Sequence, residues 1–426
     1  MTEPQINHLA DHLFRHESGK LVSVLTKIFG SQNLDLAEDV VQDALIEALD
    51  QWQYKGIPEN PSAWLFRVAK NKALNILNRE KYKREYSTYV AHFFQSESTA
   101  EPALNHFFSE AEIQDDQLRM IFTCCHPALS SDSQIALALK TICGFSIPEI
   151  AKAFLTTEEN INKRLVRARQ TIRDAKAPFE IPRGNELEKR LQTVLETVYL
   201  LFNEGYSASK GDDLIRYELC EEAIRLTQII IADKNILHKE TVHALIALMF
   251  INASRFKARQ DSAGNILTLE EQDRSLWDKK MLGIGLGHLT QATQNNSISA
   301  YHILAAISAQ YSIAASYEET DWRNILSLYD SLVLLDKSPI VLLNRAIAVS
   351  KVDGAKQALA ELEKIKNNPA FKSYHSFYSA QSEFYIQEKD FENAIIALKN
   401  AIELAPLQSQ RDLLEKKLEL CRENIL

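Results

Sequence analysis

Asp35-Leu-Ala-Glu-Asp-Val-Val-Gln-Asp-Ala-Leu-Ile-Glu-Ala-Leu-Asp-Gln-Trp52 carries two helical registers at once. Leu36, Val40, Ala44, Ala48 and Trp52 fall four apart, and Val41, Leu45 and Leu49 widen them into a core-facing side. Asp35, Asp39, Asp43 and Glu47 also fall four apart, on another side. Like charges at this spacing destabilise an isolated helix. Two readings of the acids stand: a solvated face, or a face that meets a basic partner.

The following stretch complements it. Asn60-Pro-Ser-Ala-Trp-Leu-Phe-Arg-Val-Ala-Lys-Asn-Lys-Ala-Leu-Asn75 opens on Asn-Pro, a good N-cap followed by a residue suited to the first turn. Leu65, Val68, Leu74 and Leu77 supply an apolar side. Arg67, Lys70, Asn71, Lys72, Asn75 and Arg79 supply polar ones, and Lys81, Lys83 and Arg84 extend the positive charge. Cations along one side with Trp64 and Phe66 near the start suit a nucleic-acid backbone and stackable bases. An ordinary amphipathic helix with Trp64 in the core fits the same residues.

A third stretch has its own grammar. Ser146-Ile-Pro-Glu149 is a capping-box pattern and starts a short helix with Ile150, Ala151 and Phe154 facing inward. Leu155-Thr156-Thr157 makes a turn, and Thr156 with Glu159 forms a second capping box. Ile161, Leu165, Ala168 and Ile172 then define one buried side of a second helix. Short helix, brief turn and basic helix make a helix-turn-helix. The N-terminal part of such a recognition helix reaches base edges, and later cations grip phosphates. Glu158, Glu159, Asn160 and Lys163 are therefore the base-edge candidates, and Arg164, Arg167, Arg169 and Arg173 the backbone candidates.

The first two stretches together resemble region two of the extracytoplasmic-function sigma factors, and the third resembles their region four. The resemblance covers about the first 180 residues, in the right order. It implies that Asp35, Glu38, Asp39, Gln42 and Asp43 dock on the clamp helices of the largest subunit of core RNA polymerase. It implies promoter contacts at Arg67, Lys70, Asn71 and Arg79, with Tyr54 to Asn60 as a loop that holds a flipped base of the minus-ten element. Region four reads the minus-thirty-five element. Asn75 departs from the Asp common at that place, which keeps hydrogen bonding and loses a charge.

Totals set the frame. The chain has 426 residues, 46% hydrophobic and 25% charged, with low glycine and long Ala/Leu/Glu/Lys stretches at helical spacing. An all-α fold is expected, in four parts: 1–85, a Ser/Glu-rich linker at 86–115, the helix-turn-helix part at 116–180, and helical hairpins at 186–426. The resemblance implies that acids of this linker mimic nucleic acid, a part open to Glu97, Glu101, Glu110, Glu112 and Asp115, and a plain tether fits them equally. No apolar run reaches the roughly 18 residues a membrane span needs, and no secretion signal is visible at the start. The net charge of −9 counts against coating nucleic acid by bulk electrostatics but not against local basic patches. Five cysteines without scaffold spacing suit a reducing cytosol. Cys124-Cys125-His126 reads first as buried packing, ahead of redox sensing or a metal site, because adjacent cysteines seldom share one zinc.

In the C-terminal half, Tyr378, Ser382, Tyr385, Ala394, Leu398, Ala401 and Pro406 match tetratricopeptide spacing, and Leu342, Ala346, Ala358 and Leu362 offer a second, offset hairpin. This half resembles the extension of one sigma-factor subgroup, whose binding partner the resemblance leaves open. Asn203, Glu204, Arg255, Arg259, Asp273, Arg274 and Asp321 fit a polar pocket or buried ion pairs that hold hairpins together. No nucleophile motif, phosphate loop or metal-ligand spacing calls for catalysis or a cofactor. The expected function is a sigma factor with a regulatory C-terminal domain acting on the DNA-binding regions or on polymerase. The competing reading is a helix-turn-helix regulator that binds duplex DNA without polymerase, and a plain helical scaffold leaves the first 180 residues unexplained.

Overall fold

The computed structural model describes residues 3–79, 107–154, 156–207, 214–294 and 297–425. Among them are eighteen α-helices and no strand beyond an isolated bridge between Gln260 and Ile266. The chain divides into two units. The first comprises Met1–Phe202 and Glu221–Ile236, the second Asn203–Cys220 and Leu237–Leu426.

The first unit is built around α1 (Glu3–Phe29), whose later half is buried on nearly every side. Leu21, Val22, Val24, Leu25, Ile28 and Phe29 are all core residues, and each buried Leu, Ile or Phe contributes roughly 1.5–3 kcal/mol. Gly19 is required by close approach: a Cβ there would lie 1.9 Å from the Ile142 carbonyl oxygen. Lys27 is buried in this core and pairs with Glu112 and, at 3.2 Å, with Asp116, which Arg119 also engages. Burial pushes the Asp116 carboxyl up from 3.8 to about 6 even against these two cations.

After α1 come α2 (Leu34–Lys55), α3 (Pro61–Arg79) and α4 (Glu110–Cys124). Most of the expected linker, including Glu97 and Glu101, lies outside the described residues. Its end does not: α4 starts at Glu110, so Glu112 and Asp115 belong to a helix rather than a tether. Acids near a helix N-terminus are favoured by the exposed N–H groups there. After α4 come α5 (Ser131–Thr141), α6 (Ile147–Ala153) and α7 (Glu158–Asp174). Helix α8 (Asn185–Tyr206) contributes its residues through Phe202, and α9 (Tyr217–Ala232) those from Glu221. Both are tied into the unit by polar contacts: Arg190 donates to the Phe122 carbonyl at 3.3 Å, and Arg225 to Gln117 at 3.1 Å.

Cys124, Cys125 and Cys143 lie in the core of the first unit. Burial raises all three thiols, Cys125 to about 12, so none carries thiolate at neutral pH. The packing reading of the Cys-Cys pair accounts for them.

The second unit is a run of helical hairpins. Helix α10 (Glu240–Ala253) is apolar all round and buried from Ala244 to Ile251, between α11 (Lys279–Ala292) and α12 (Ala300–Ile313). Then follow α13 (Trp322–Leu335), α14 (Pro339–Val352), α15 (Ala355–Ile365), α16 (His375–Gln387), α17 (Phe391–Leu404) and α18 (Gln408–Glu423). Each packs on its sequence neighbour. The tetratricopeptide spacing lands where small residues are needed: Ser382, Ala394, Leu398 and Ala401 are fully buried between α16 and α17. In the earlier hairpin Ala346, Ala358 and Leu362 are buried, and Leu343 rather than Leu342 fills the core.

Candidate nucleic-acid and polymerase interface

Helix α2 buries Leu34, Ala37, Val40, Val41, Ala44, Ala48 and Trp52. The expected stripe is therefore correct in direction but narrower: Leu49 is 43% exposed and Ile46 49%. Trp52 stacks edge-on against Trp64 of α3 at 5.5 Å, which fixes the two helices together. The acids divide into two groups. Asp39, Gln42 and Asp43 are exposed, and neither carboxylate has an ion-pair partner among the described residues. Glu47 pairs with Lys72 of α3 at 2.9 Å. Asp35 and Glu38 are half-buried under α7.

Helix α3 opens as its sequence requires, with the Asn60 side chain accepting from the Ala63 N–H at 2.9 Å. It buries Leu65, Ala69, Ala73 and Leu77, every fourth residue, while Val68 and Leu74 are only half-buried. Arg67, Asn71 and Asn75, also four apart, share the exposed side, and Lys70 is half-buried beside them. The Arg79 side chain lies outside the described residues. Trp64 is half-buried against Trp52, so it serves packing more than stacking on bases. Tyr54 is 85% exposed at the end of α2, and the loop proper runs from Gly56.

The helix-turn-helix is α6 and α7. Ser146 and Glu149 form the reciprocal cap of α6: the Glu149 carboxylate accepts from the Ser146 N–H and hydroxyl, each at 2.7 Å. Helix α7 buries Ile161, Leu165, Ala168 and Ile172, the side read from spacing. Its cap is Thr157, whose hydroxyl accepts from the Asn160 N–H at 3.3 Å, one residue later than the Thr156 box. Thr156 instead accepts from the Asn160 side chain at 3.2 Å. Extended backbone at Thr157 places its hydroxyl, not that of Thr156, over the first free N–H groups.

The cations of α7 face two ways. Glu158, Glu159, Asn160, Lys163 and Arg167 are exposed, with Lys163 and Glu159 paired along the helix at 2.7 Å. Arg164 is half-buried over the Phe154 ring at 5.0 Å and 3.3 Å from Asp132. Arg169 and Arg173 turn to α2. Arg169 lies 2.7 Å from Glu38 and 3.4 Å from Asp35, and Arg173 engages Asp35 and donates to the Gln32 carbonyl at 3.2 Å. Thr141 at the end of α5 adds a 3.1 Å hydrogen bond to Glu38. Burial raises the Glu38 carboxyl above its ordinary value, and Arg169 and Thr141 pull it part of the way back. Two residues expected on phosphates thus sit on two expected on polymerase. Spacing alone gives no sign of that long-range contact.

The same closure forms a cleft of about 780 Å³, with Glu38, Asp39, Gln42 and Leu45 on one wall. Lys140, Gly144, Ser146 and Glu149 line the other. Among the described residues no group of side chains could hold a metal ion, and no helix is long and apolar enough to cross a membrane.

Comparison with known proteins matches Sigma-70 region 2 to residues 13–82 and Sigma-70 region 4 to residues 119–172. A family of unknown function, DUF6596, matches residues 190–293. An uncharacterized protein of Rhizobium meliloti is 36% identical over 388 residues, spanning 89% of this chain and 90% of its own. No solved structure matches the chain.

Proposed function

The chain belongs to the sigma factors, as an extracytoplasmic-function type with a C-terminal extension, and from that premise we propose how α2, α3 and α7 share the work of initiation. Its role is promoter-directed transcription with core RNA polymerase. Helix α2 is the docking helix. Asp39, Gln42 and Asp43 make first contact with the basic clamp helices of the largest subunit, with Ile46 and Leu49 as the apolar complement beside them. Asp35 and Glu38 join once Arg169 and Arg173 release them.

On the DNA side, Arg67, Lys70, Asn71 and Arg79 of α3 grip the opened minus-ten strand, and the loop from Gly56 to Asn60 holds a flipped base. Glu158, Asn160 and Lys163 read base edges of the minus-thirty-five element, and Arg164 and Arg167 hold phosphates. The factor does no chemistry, needs no cofactor and works in the cytoplasm. Its second unit regulates initiation, by an affinity difference between the closed and open arrangements of the first.

One observation carries this reading. The recognition helix is seated through Arg169 and Arg173 on the acids of the docking helix, so the free protein is closed and polymerase must compete for Asp35 and Glu38. Opening exchanges intramolecular ion pairs for intermolecular ones of like kind, which keeps its cost low. The test is Asp39→Lys with Asp43→Lys. Both side chains are exposed, so the fold survives, and association with core polymerase should fall sharply. Normal co-purification of the folded double variant with core enzyme would remove α2 as the docking helix.

A further inference from the structure

Three neighbouring guanidinium groups of the second unit have no carboxylate to answer them among the described residues. Arg255 and Arg259 follow α10, and Arg274 opens a short 3-10 turn that ends at Trp277. Arg255 and Arg274 both lie over the Trp277 ring, at 5.9 and 4.6 Å from its centroid. Arg259 stacks on Tyr206 at 3.8 Å, and Arg255 donates to the Tyr206 hydroxyl at 2.7 Å. Burial first, and the nearby Arg255 charge after it, push down the pKa of both Arg259 and Arg274, so the three charges are close enough to feel one another.

Each guanidinium commits one nitrogen to the protein. Arg255 uses Nη2 on Tyr206 and Asn252, Arg259 uses Nη1 on the Tyr206 carbonyl, and Arg274 uses Nη1 on the Tyr311 and Ala314 carbonyls. No carboxylate lies within ion-pair distance of any of the three among the described residues. The three acids the sequence offers are occupied elsewhere, Glu204 by Arg216 at 3.4 Å. Asp273 caps its own turn through the Ser275 N–H at 2.8 Å, and Asp321 caps α13 through Asn324 at 3.0 Å. Glu318, the acid whose field reaches Arg274, is exposed and forms no ion pair with it.

Three donors at this place are buried and unpartnered: Arg255 Nε, Arg274 Nη2 and the indole Nε1 of Trp277, a residue only 6% exposed. A buried donor left without a partner costs roughly 1–3 kcal/mol, and like charges gathered in a half-buried site add to that. Structural arginines are normally placed to satisfy such groups, and here the acids that would do so point to other duties.

We propose that Arg255, Arg259, Arg274 and Trp277 form a binding site for a phosphate group. Arginine forks match phosphate oxygens in pairs, and the indole N–H is a donor only. A phosphate carries about two negative charges near neutral pH, which answers three guanidiniums better than one carboxylate does. The aromatic floor of Trp277 and Tyr206 holds the forks flat and excludes water, which strengthens the contact. The phosphate arrives either as the free ion or on a small metabolite.

The experiment uses the full-length chain. Thermal unfolding and calorimetric titration are followed with inorganic phosphate, a sugar phosphate and succinate, each against chloride at matched ionic strength. Phosphate should raise the melting temperature progressively with its concentration, where chloride does not. Arg255→Gln should weaken binding about tenfold or more, the loss expected for a charge-assisted hydrogen bond. Trp277→Phe keeps the ring and loses the N–H, so it should weaken binding and leave the fold intact, which covers the case in which Arg255→Gln does not fold. Arg345→Gln, in a cation paired with Asp330 and Glu361, should bind as the native chain does. Tighter binding of the sugar phosphate assigns the metabolite as source, and tighter inorganic phosphate assigns the free ion. Succinate binding equal to both, no response beyond chloride, or equal loss in Arg345→Gln overturns the proposal.

Discussion

The guanidinium of Arg169 lies 2.7 Å from the carboxylate of Glu38, joining α7 to α2 across more than a hundred residues of sequence. The pair is half-buried, with 15% and 22% of the two side chains exposed. Burial raises the Glu38 carboxyl, so its charge is held there at a cost that the guanidinium only partly offsets. A contact of this kind is easily exchanged for another and is costly to leave half-made.

Charge exchange tests that contact. Arg169→Glu sets a third carboxylate against Asp35 and Glu38, and Glu38→Arg sets two guanidiniums face to face. Each alone should destabilise the first unit by about 2–3 kcal/mol. The double exchange should recover a coupling of about 1–3 kcal/mol in urea unfolding. Simple additivity of the two losses would show that the ion pair does not hold the closed form.

The recognition helix makes a second prediction. Asn160 and Lys163 are exposed at the start of α7, and Arg167 one turn further on. Changing Asn160 or Lys163 should alter base preference at the minus-thirty-five element, each contact being worth about 1–3 kcal/mol. Arg167→Ala should weaken binding almost uniformly across sequences and reduce the salt dependence by about one ion. Reconstituted holoenzyme on a promoter library measures both, and an unchanged preference in every variant would take α7 out of the groove.

Asp116 sets a pH dependence. Its folded pKa of about 6 stands above the ordinary 3.8, so the folded state binds the extra proton between those values. Stability from this group is therefore greatest at low pH and falls as pH rises through that window, on the order of 3 kcal/mol in total. Asp116→Asn keeps the shape of the protonated form and removes the titration. Its stability relative to the native chain should rise between pH 4.5 and 7 in urea unfolding at fixed salt. A native chain that gains on the variant over that range would show that Lys27 and Arg119 outweigh the burial.

Local features were legible in the sequence because they depend on neighbours a few residues away. The Asn60 cap, the Ser146–Glu149 box and the buried run Ile161, Leu165, Ala168 and Ile172 all follow from spacing and side-chain chemistry. The Thr157 cap was missed by one residue, since two adjacent threonines offer the same oxygen and only backbone angles choose between them. Leu49 was expected inside and is exposed, outside the strip of Ala37, Val41, Ala44 and Ala48 that α2 buries.

What spacing could not give is which distant groups meet. Arg169 and Arg173 read as phosphate grips from charge alone, and their seat on Asp35 and Glu38 depends on how α7 packs against α2. In the second unit spacing named the polar residues and left a pocket and buried ion pairs both open. Asp273 and Asp321 are helix caps, Glu204 answers Arg216 at 3.4 Å, and the three arginines are left together.

Run-off transcription with core RNA polymerase tests the central claim most directly. Native full-length protein added to core enzyme should yield a discrete transcript from a cognate promoter, and the Asp39→Lys, Asp43→Lys variant should yield little or none while still folding. A protein that binds duplex promoter DNA but never directs core enzyme to start there, or a double variant that initiates as the native chain does, would contradict the account.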